Sequence, residues 1–96
     1  MKPMIGINLD IKDGPPREAA ILADYFDAVQ KSGGIPVLLP PMPEDDTAQV
    51  LEMLDGIMLI GGRDYSAKLW GEENCALARP LSAEREQFDL RLIQRI

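Results

Sequence analysis

Three short apolar runs constrain this chain more than anything else in it: Met4–Asn8, Ile35–Leu39 and Ile57–Ile60. The second begins after Gly33-Gly34 and stops at Pro40-Pro41, and the third lies between Gly56 and Gly61-Gly62. Apolar runs this short between glycines and prolines read as strands. The second is continuous rather than alternating in hydrophobicity, the pattern of a strand covered by helices on both faces. Pro36 stands near its start, where a missing donor is tolerated.

The intervening segments carry helical signals. Asp10 to Pro16 is polar and rich in turn formers, and Pro16 suits the first turn of a helix because its missing N–H would have no partner there. Leu22, Tyr25, Phe26 and Val29 then recur at i, i+3, i+4, i+7, one stripe facing a sheet, with Asp24, Asp27 and Lys31 outside it. Gly33-Gly34 ends that helix. Glu44-Asp45-Asp46 favours the positive end of a helix dipole, and a second helix from Asp46 to Leu54 presents Val50, Leu51 and Leu54 inward. Strand, helix, strand, helix, strand is the βαβαβ pattern, with parallel pairing and right-handed crossovers.

The third strand opens into Gly61-Gly62. Ligands of open α/β sheets bind outside the carboxyl ends of parallel strands, and glycine there lets backbone N–H groups approach a substrate. Arg63 to Leu81 is a loop of nearly twenty residues, a length that predicts a function for it. Ser82 can cap a last helix, with Glu84 and Glu86 in its first turns and Phe88, Leu92, Ile96 and Ile93 on an inward stripe. That helix has no stop signal. A crossover helix leading to no strand reads as truncation, which would leave an uncovered sheet edge prone to pairing with another chain.

Composition removes several functions. With 96 residues there is at most one domain, burying about 60–65% of its unfolded surface, and 46% apolar with 27% charged residues is ordinary for a globular chain. No apolar run approaches the ~18 residues of a membrane span, and Met1-Lys2-Pro3 leads into a strand rather than a signal peptide, so a cytoplasmic location with no membrane partner is expected. A net charge of −6 without a basic cluster would repel nucleic acid. Cys75 is the single cysteine and there is no histidine, so no internal Cys-His or Ser-His pair exists and zinc lacks its commonest ligand. No metal and no cofactor is expected.

Three stretches carry a resemblance: Met1-Lys-Pro-Met-Ile-Gly-Ile7, Tyr25-Phe-Asp-Ala-Val-Gln-Lys-Ser-Gly-Gly-Ile-Pro-Val-Leu-Leu-Pro40, and Leu54-Asp-Gly-Ile-Met-Leu-Ile-Gly-Gly-Arg-Asp64. They resemble the N-terminal half of class I glutamine amidotransferase-like γ-glutamyl hydrolases, nearest the γ-glutamyl-γ-aminobutyrate hydrolases of peptidase family C26. The family usually has Pro-Gly-Gly-x-Asp at the third strand, where Ile60 replaces the proline. Its later Arg-Asp-x-x-Glu corresponds to Arg85-Glu-Gln-Phe-Asp89, with both acidic residues exchanged in length. The resemblance implies a three-layer α/β sandwich of flavodoxin-like type, a parallel sheet flanked by helices. Residues 1–96 would be the N-terminal βαβαβα part of one such domain. It also implies hydrolysis of a γ-glutamyl amide by a cysteine nucleophile, a histidine base and a glutamate orienting the histidine. The nucleophile lies on a sharp turn after the next strand, in a Gly-x-Cys-x-Gly setting.

Within this chain the catalytic candidates are therefore backbone groups. By position Gly62 would supply an oxyanion N–H, with Gly61 giving the turn, a donor worth roughly 10²–10³ in rate; alternatively the two glycines only permit the turn. Arg63 could meet a substrate carboxylate, and Asp64 and Tyr65 could shape the substrate loop, although an aspartate after Gly-Gly can equally close an Asx-turn. Cys75 follows Glu72-Glu73-Asn74, the wrong charge for a thiolate, and is not read as catalytic. Arg85, Glu86 and Asp89 are spaced for i, i+4 pairing worth about 0.2–0.5 kcal/mol per pair, Asp10 and Asp13 for turn chemistry, and Tyr25 and Phe26 for the core. The expected partners are a small γ-glutamyl substrate, once the missing half completes the site, and a second copy through the open sheet edge. A non-catalytic binding or interaction module derived from the fold is the competing reading. A flavodoxin-like nucleotide binder ranks third, because Gly-Gly-Arg-Asp leads into a loop and not a helix N-terminus.

Overall fold

The computed structural model describes residues 1–61 and 83–95. Along the chain the elements are β1 (Met4–Asn8), β2 (Asp10–Lys12), β3 (Glu18–Ala20), α1 (Ala23–Lys31), β4 (Ile35–Leu39), α2 (Glu44–Met53), β5 (Gly56–Met58) and α3 (Ala83–Arg95). The apolar runs form one parallel sheet in the order β4-β1-β5, with Ile7 opposite both Leu38 and Met58. The α/β sandwich is thus the observed architecture, and β1 is its middle strand.

Strand alternation sorts the apolar side chains into two clusters. Ile7, Val29 and Ile60 are buried, with the partly buried Ile5, Tyr25, Phe26 and Met58 packed against them, which places α1 against one side of the sheet. Leu39, Phe88 and Leu92 are buried, with the partly buried Val37, Val50, Leu51, Leu54 and Ile57 packed against them, which places α2 and α3 against the other. Gly6 is what permits this close approach: a Cβ there would lie 2.6 Å from a Leu54 methyl and 2.8 Å from one of Leu39. The inward positions expected for the second helix are observed, with Val50, Leu51 and Leu54 all in the second cluster.

Three expectations are corrected. First, no helix starts near Pro16. Asp10–Lys12 and Glu18–Ala20 instead pair as an antiparallel ribbon, Ile11 opposite Ala19, around a Gly14-Pro15-Pro16 turn with a cis Pro15-Pro16 bond. Ile11 is buried in that ribbon, a gain that polar turn formers around it conceal in the sequence. A Cβ on Gly14 would collide with the Pro16 backbone at 1.9 Å, so the turn requires glycine. Leu22 therefore precedes α1, in extended conformation, and is 68% exposed rather than on the inward stripe. Second, β4 is not covered on both faces: Ile35 and Leu38 are each 44% exposed, because β4 is an edge strand among the described residues. Third, Ile93 is 47% exposed; Phe88 and Leu92, four apart, take the inward face of α3.

Candidate functional site at the end of the central strand

Asn8 ends β1 and is fully buried, an amide at the close of an apolar run. Its side chain takes over where the sheet ladder stops. The β1–β5 pairing ends at Met58, and two residues later the Ile60 N–H donates to Asn8 Oδ1 at 2.7 Å. The other end of the amide, Nδ2, donates to Asp89 Oδ1 at 2.9 Å. One side chain thus ties the strand exit to α3.

Arg85 completes the frame. Its Nε donates to Asp89 Oδ2 at 3.3 Å, its Nη1 to Asp10 Oδ1 at 3.0 Å, and its Nη2 to the Ile60 carbonyl at 2.8 Å and the Gly61 carbonyl at 3.4 Å. The guanidinium is 1% exposed and Asp89 is wholly buried, while Asp10 is partly open to solvent. A planar fork with five donors can serve three directions at once, which a lysine ammonium on a flexible stem cannot reproduce. Both polar groups of Ile60 are consequently held by side chains, N–H by Asn8 and C=O by Arg85. A buried pair of charges is tolerable only when hydrogen bonds satisfy its remaining polar atoms, and no buried side-chain N or O among the described residues lacks a partner.

Beside this turn lies a cleft of about 360 Å³, walled by Asp10, Lys12, Ile21, Tyr25, Ile60 and Gly61. Tyr25 packs with the α1 cluster, as a core residue should, but its hydroxyl also reaches to 3.6 Å from the Cβ position of Gly61. Gly61 itself has room for a methyl group at ordinary contact distance, and among the described residues only Gly33 has a positive φ. Gly61→Ala is accordingly expected to change stability by no more than about 0.5 kcal/mol, the range of neutral surface substitutions. Thermal unfolding measures this; a larger loss would show that the turn needs glycine at that position.

Of the residues singled out from the sequence, Gly61 stands in this turn, while Gly62, Arg63, Asp64, Tyr65, Cys75 and Ser82 lie outside the described residues. Arg85 and Asp89 do pair at i, i+4, but inside the protein rather than on a solvated face. Asp13 is exposed at the ribbon's turn, and no group of three acidic, cysteine or histidine side chains among the described residues could hold a metal. Sequence reasoning does not find the Asn8–Asp89–Arg85 network as a unit. A signal for it is nevertheless present: Arg85, Phe88, Asp89 and Leu92 fall at i, i+3, i+4, i+7, so two charged residues share the stripe of two core residues.

Residues 3–96 match the model of the family Peptidase C26. The chain belongs to the Peptidase C26 family. It is 28% identical over 102 aligned positions, 98% of its length, to a Rickettsia prowazekii protein with a provisional glutamine amidotransferase-like name, and covers 36% of that protein. It is 40% identical over 53 positions, 53% of its length, to a Mycobacterium tuberculosis protein provisionally named a glutamine amidotransferase, covering 17% of it. Protein NtpR of Enterococcus hirae is 28% identical over 69 positions, 72% of this chain and 29% of that one. This Peptidase C26 chain therefore spans about a third or less of the curated relatives it matches, and its fold is the amidotransferase-like α/β sandwich that the sheet order describes. No described helix of it is long and apolar enough to cross a membrane.

Proposed function

We propose that residues 1–96 form the N-terminal portion of a γ-glutamyl-amide hydrolase of the γ-glutamyl-γ-aminobutyrate hydrolase group, contributing the oxyanion donor and part of the substrate cleft. The observation that carries this reading is the Ile60-Gly61 turn at the carboxyl end of a parallel sheet, with both polar groups of Ile60 clamped from behind. The family match and the relatives' names support the reaction class.

In such a reaction a cysteine thiolate attacks the γ-carbonyl carbon, and the C=O electrons move onto oxygen. The Gly62 N–H stabilises that oxyanion until it collapses, expelling the amine, which takes a proton from the histidine. Water, deprotonated by the same histidine, then attacks the thioester and releases glutamate. No histidine occurs in these 96 residues, and the single cysteine, Cys75, follows Glu72-Glu73-Asn74, the wrong charge for a thiolate, so on this reading base and nucleophile both come from outside them. Arg63 would pair with the α-carboxylate of the γ-glutamyl group, and Asp64 and Tyr65 would shape its loop.

The test has two parts. The 96-residue chain alone should show no turnover of a γ-glutamyl anilide, and the reading frame beyond Ile96 should specify an apolar run followed by Gly-x-Cys-x-Gly, with a histidine and glutamate two residues apart further on. Turnover by the isolated chain at the rate of a complete hydrolase, or a stop codon after Ile96, overturns the proposal.

A further inference from the structure

The oxyanion reading leaves a geometric requirement unmet by glycine itself. A peptide group is planar and trans, so its N–H and C=O point in opposite directions. The N–H contributed by Gly62 belongs to the same peptide as the Gly61 carbonyl. For that N–H to face a reacting carbonyl, the Gly61 oxygen must face away from it and must be held there.

We infer that Arg85 is the positioning residue of this oxyanion donor, its Nη2 holding the Ile60 and Gly61 carbonyls so that the next N–H is presented to substrate. The inference rests on the hydrolase reading above. Nη2 stands 2.8 Å from the first carbonyl and 3.4 Å from the second, one nitrogen spanning two successive peptides at the point where the chain leaves the sheet. The guanidinium cannot drift, because Asp89 fixes Nε and Asp10 fixes Nη1, and the whole side chain is 1% exposed. Asn8 holds the same turn by its Ile60 N–H, so the strand exit is fixed from two sides by side chains on β1 and α3. The carboxylates of Asp89 and Asp10 both face the arginine, so its contribution at the turn is directional: its three nitrogens donate to four fixed oxygens, and an ammonium would satisfy at most some of them. Donation into a carbonyl also polarises its peptide and strengthens the N–H on the other side.

The test compares wild type with Arg85→Lys in the full-length protein, using a γ-glutamyl aldehyde and iodoacetamide as probes. The thiol adds to the aldehyde carbonyl, forming a C–S bond and placing the C=O electrons on an oxygen in the oxyanion position. Iodoacetamide alkylates the same thiol by displacing iodide and creates no such oxygen. Arg85→Lys is expected to lower aldehyde affinity and kcat together by about 10–10²-fold, part of the value of a full oxyanion donor. KM for a γ-glutamyl anilide and the alkylation rate should stay at the wild-type values. Guanidinium ion added to Arg85→Ala should recover part of kcat, whereas a general loss of structure would be worsened by it. Equal losses of alkylation rate and kcat, or an unchanged kcat, overturn the inference while leaving the hydrolase reading intact. Failure of the wild-type protein to bind the aldehyde overturns both. If Arg85→Lys does not fold, Asp10→Ala, which removes the partly exposed acceptor that fixes Nη1, carries the test: a several-fold loss of aldehyde affinity with alkylation unchanged supports the inference, and unchanged affinity overturns it.

Discussion

Asp89→Ala is expected to destabilise the protein by about 3–5 kcal/mol, the cost of removing one partner from a buried ion pair. Both oxygens of Asp89 are in use, Oδ1 accepting from Asn8 and Oδ2 from Arg85, and the residue is fully buried. Its loss strips the guanidinium of its fully buried counter-charge and deprives the Asn8 amide of its acceptor. Urea denaturation measures the change, and a loss under about 1 kcal/mol would mean that water or another group takes over the carboxylate's role. The Arg17–Glu84 pair provides the contrast. Its side chains are 61% and 39% exposed, so removing either is expected to cost about 1 kcal/mol or less.

Phe88→Ala is expected to cost a similar amount, about 3–5 kcal/mol, by a different route: lost apolar transfer plus the cavity left behind. Phe88 is 2% exposed and lies with Leu39 and Leu92 where α3 meets the sheet. Because α3 also carries Arg85, loosening its seat should reach the candidate site. Hydrogen exchange at the Ile60 N–H, held by Asn8 at 2.7 Å, should therefore accelerate in the variant. Loss of stability with Ile60 protection unchanged relative to global unfolding would separate the packing of α3 from the order of the turn.

The architecture is legible in the sequence because it rests on periodicity. Apolar runs with glycine and proline at their ends give strands at Met4–Asn8 and Ile35–Leu39, and α3 buries two of the residues its 3.6-residue stripe marks, Phe88 and Leu92. The apolar run overstates the end of the third strand by two residues, since Ile60 continues the run but has left the ladder. The β2–β3 ribbon is illegible for a comparable reason. Three-residue strands carry too little alternation to show above a background of Asp, Gly and Pro, and their pairing depends on burying Ile11. Exposure of Ile35, Leu38 and Ile93 also escapes the pattern, because a stripe shows which residues could face a core and says nothing of how far the core extends.

The candidate site divides in the same way. Sequence alone determined that a glycine pair follows a sheet strand, that the residues resemble peptidase family C26, and that no histidine occurs among the 96 residues. It also held Arg85 and Asp89 at helical spacing, but spacing cannot tell a solvated pair from a buried one. Only the tertiary structure decided that, by seating Asn8 from β1 and Arg85 from α3 on the two peptides that end the strand, with Asp89 from α3 and Asp10 from the ribbon holding those two side chains. Those contacts join residues 25 to 81 positions apart. Directional bonds over such separations are set by how the layers pack, and no local pattern encodes them.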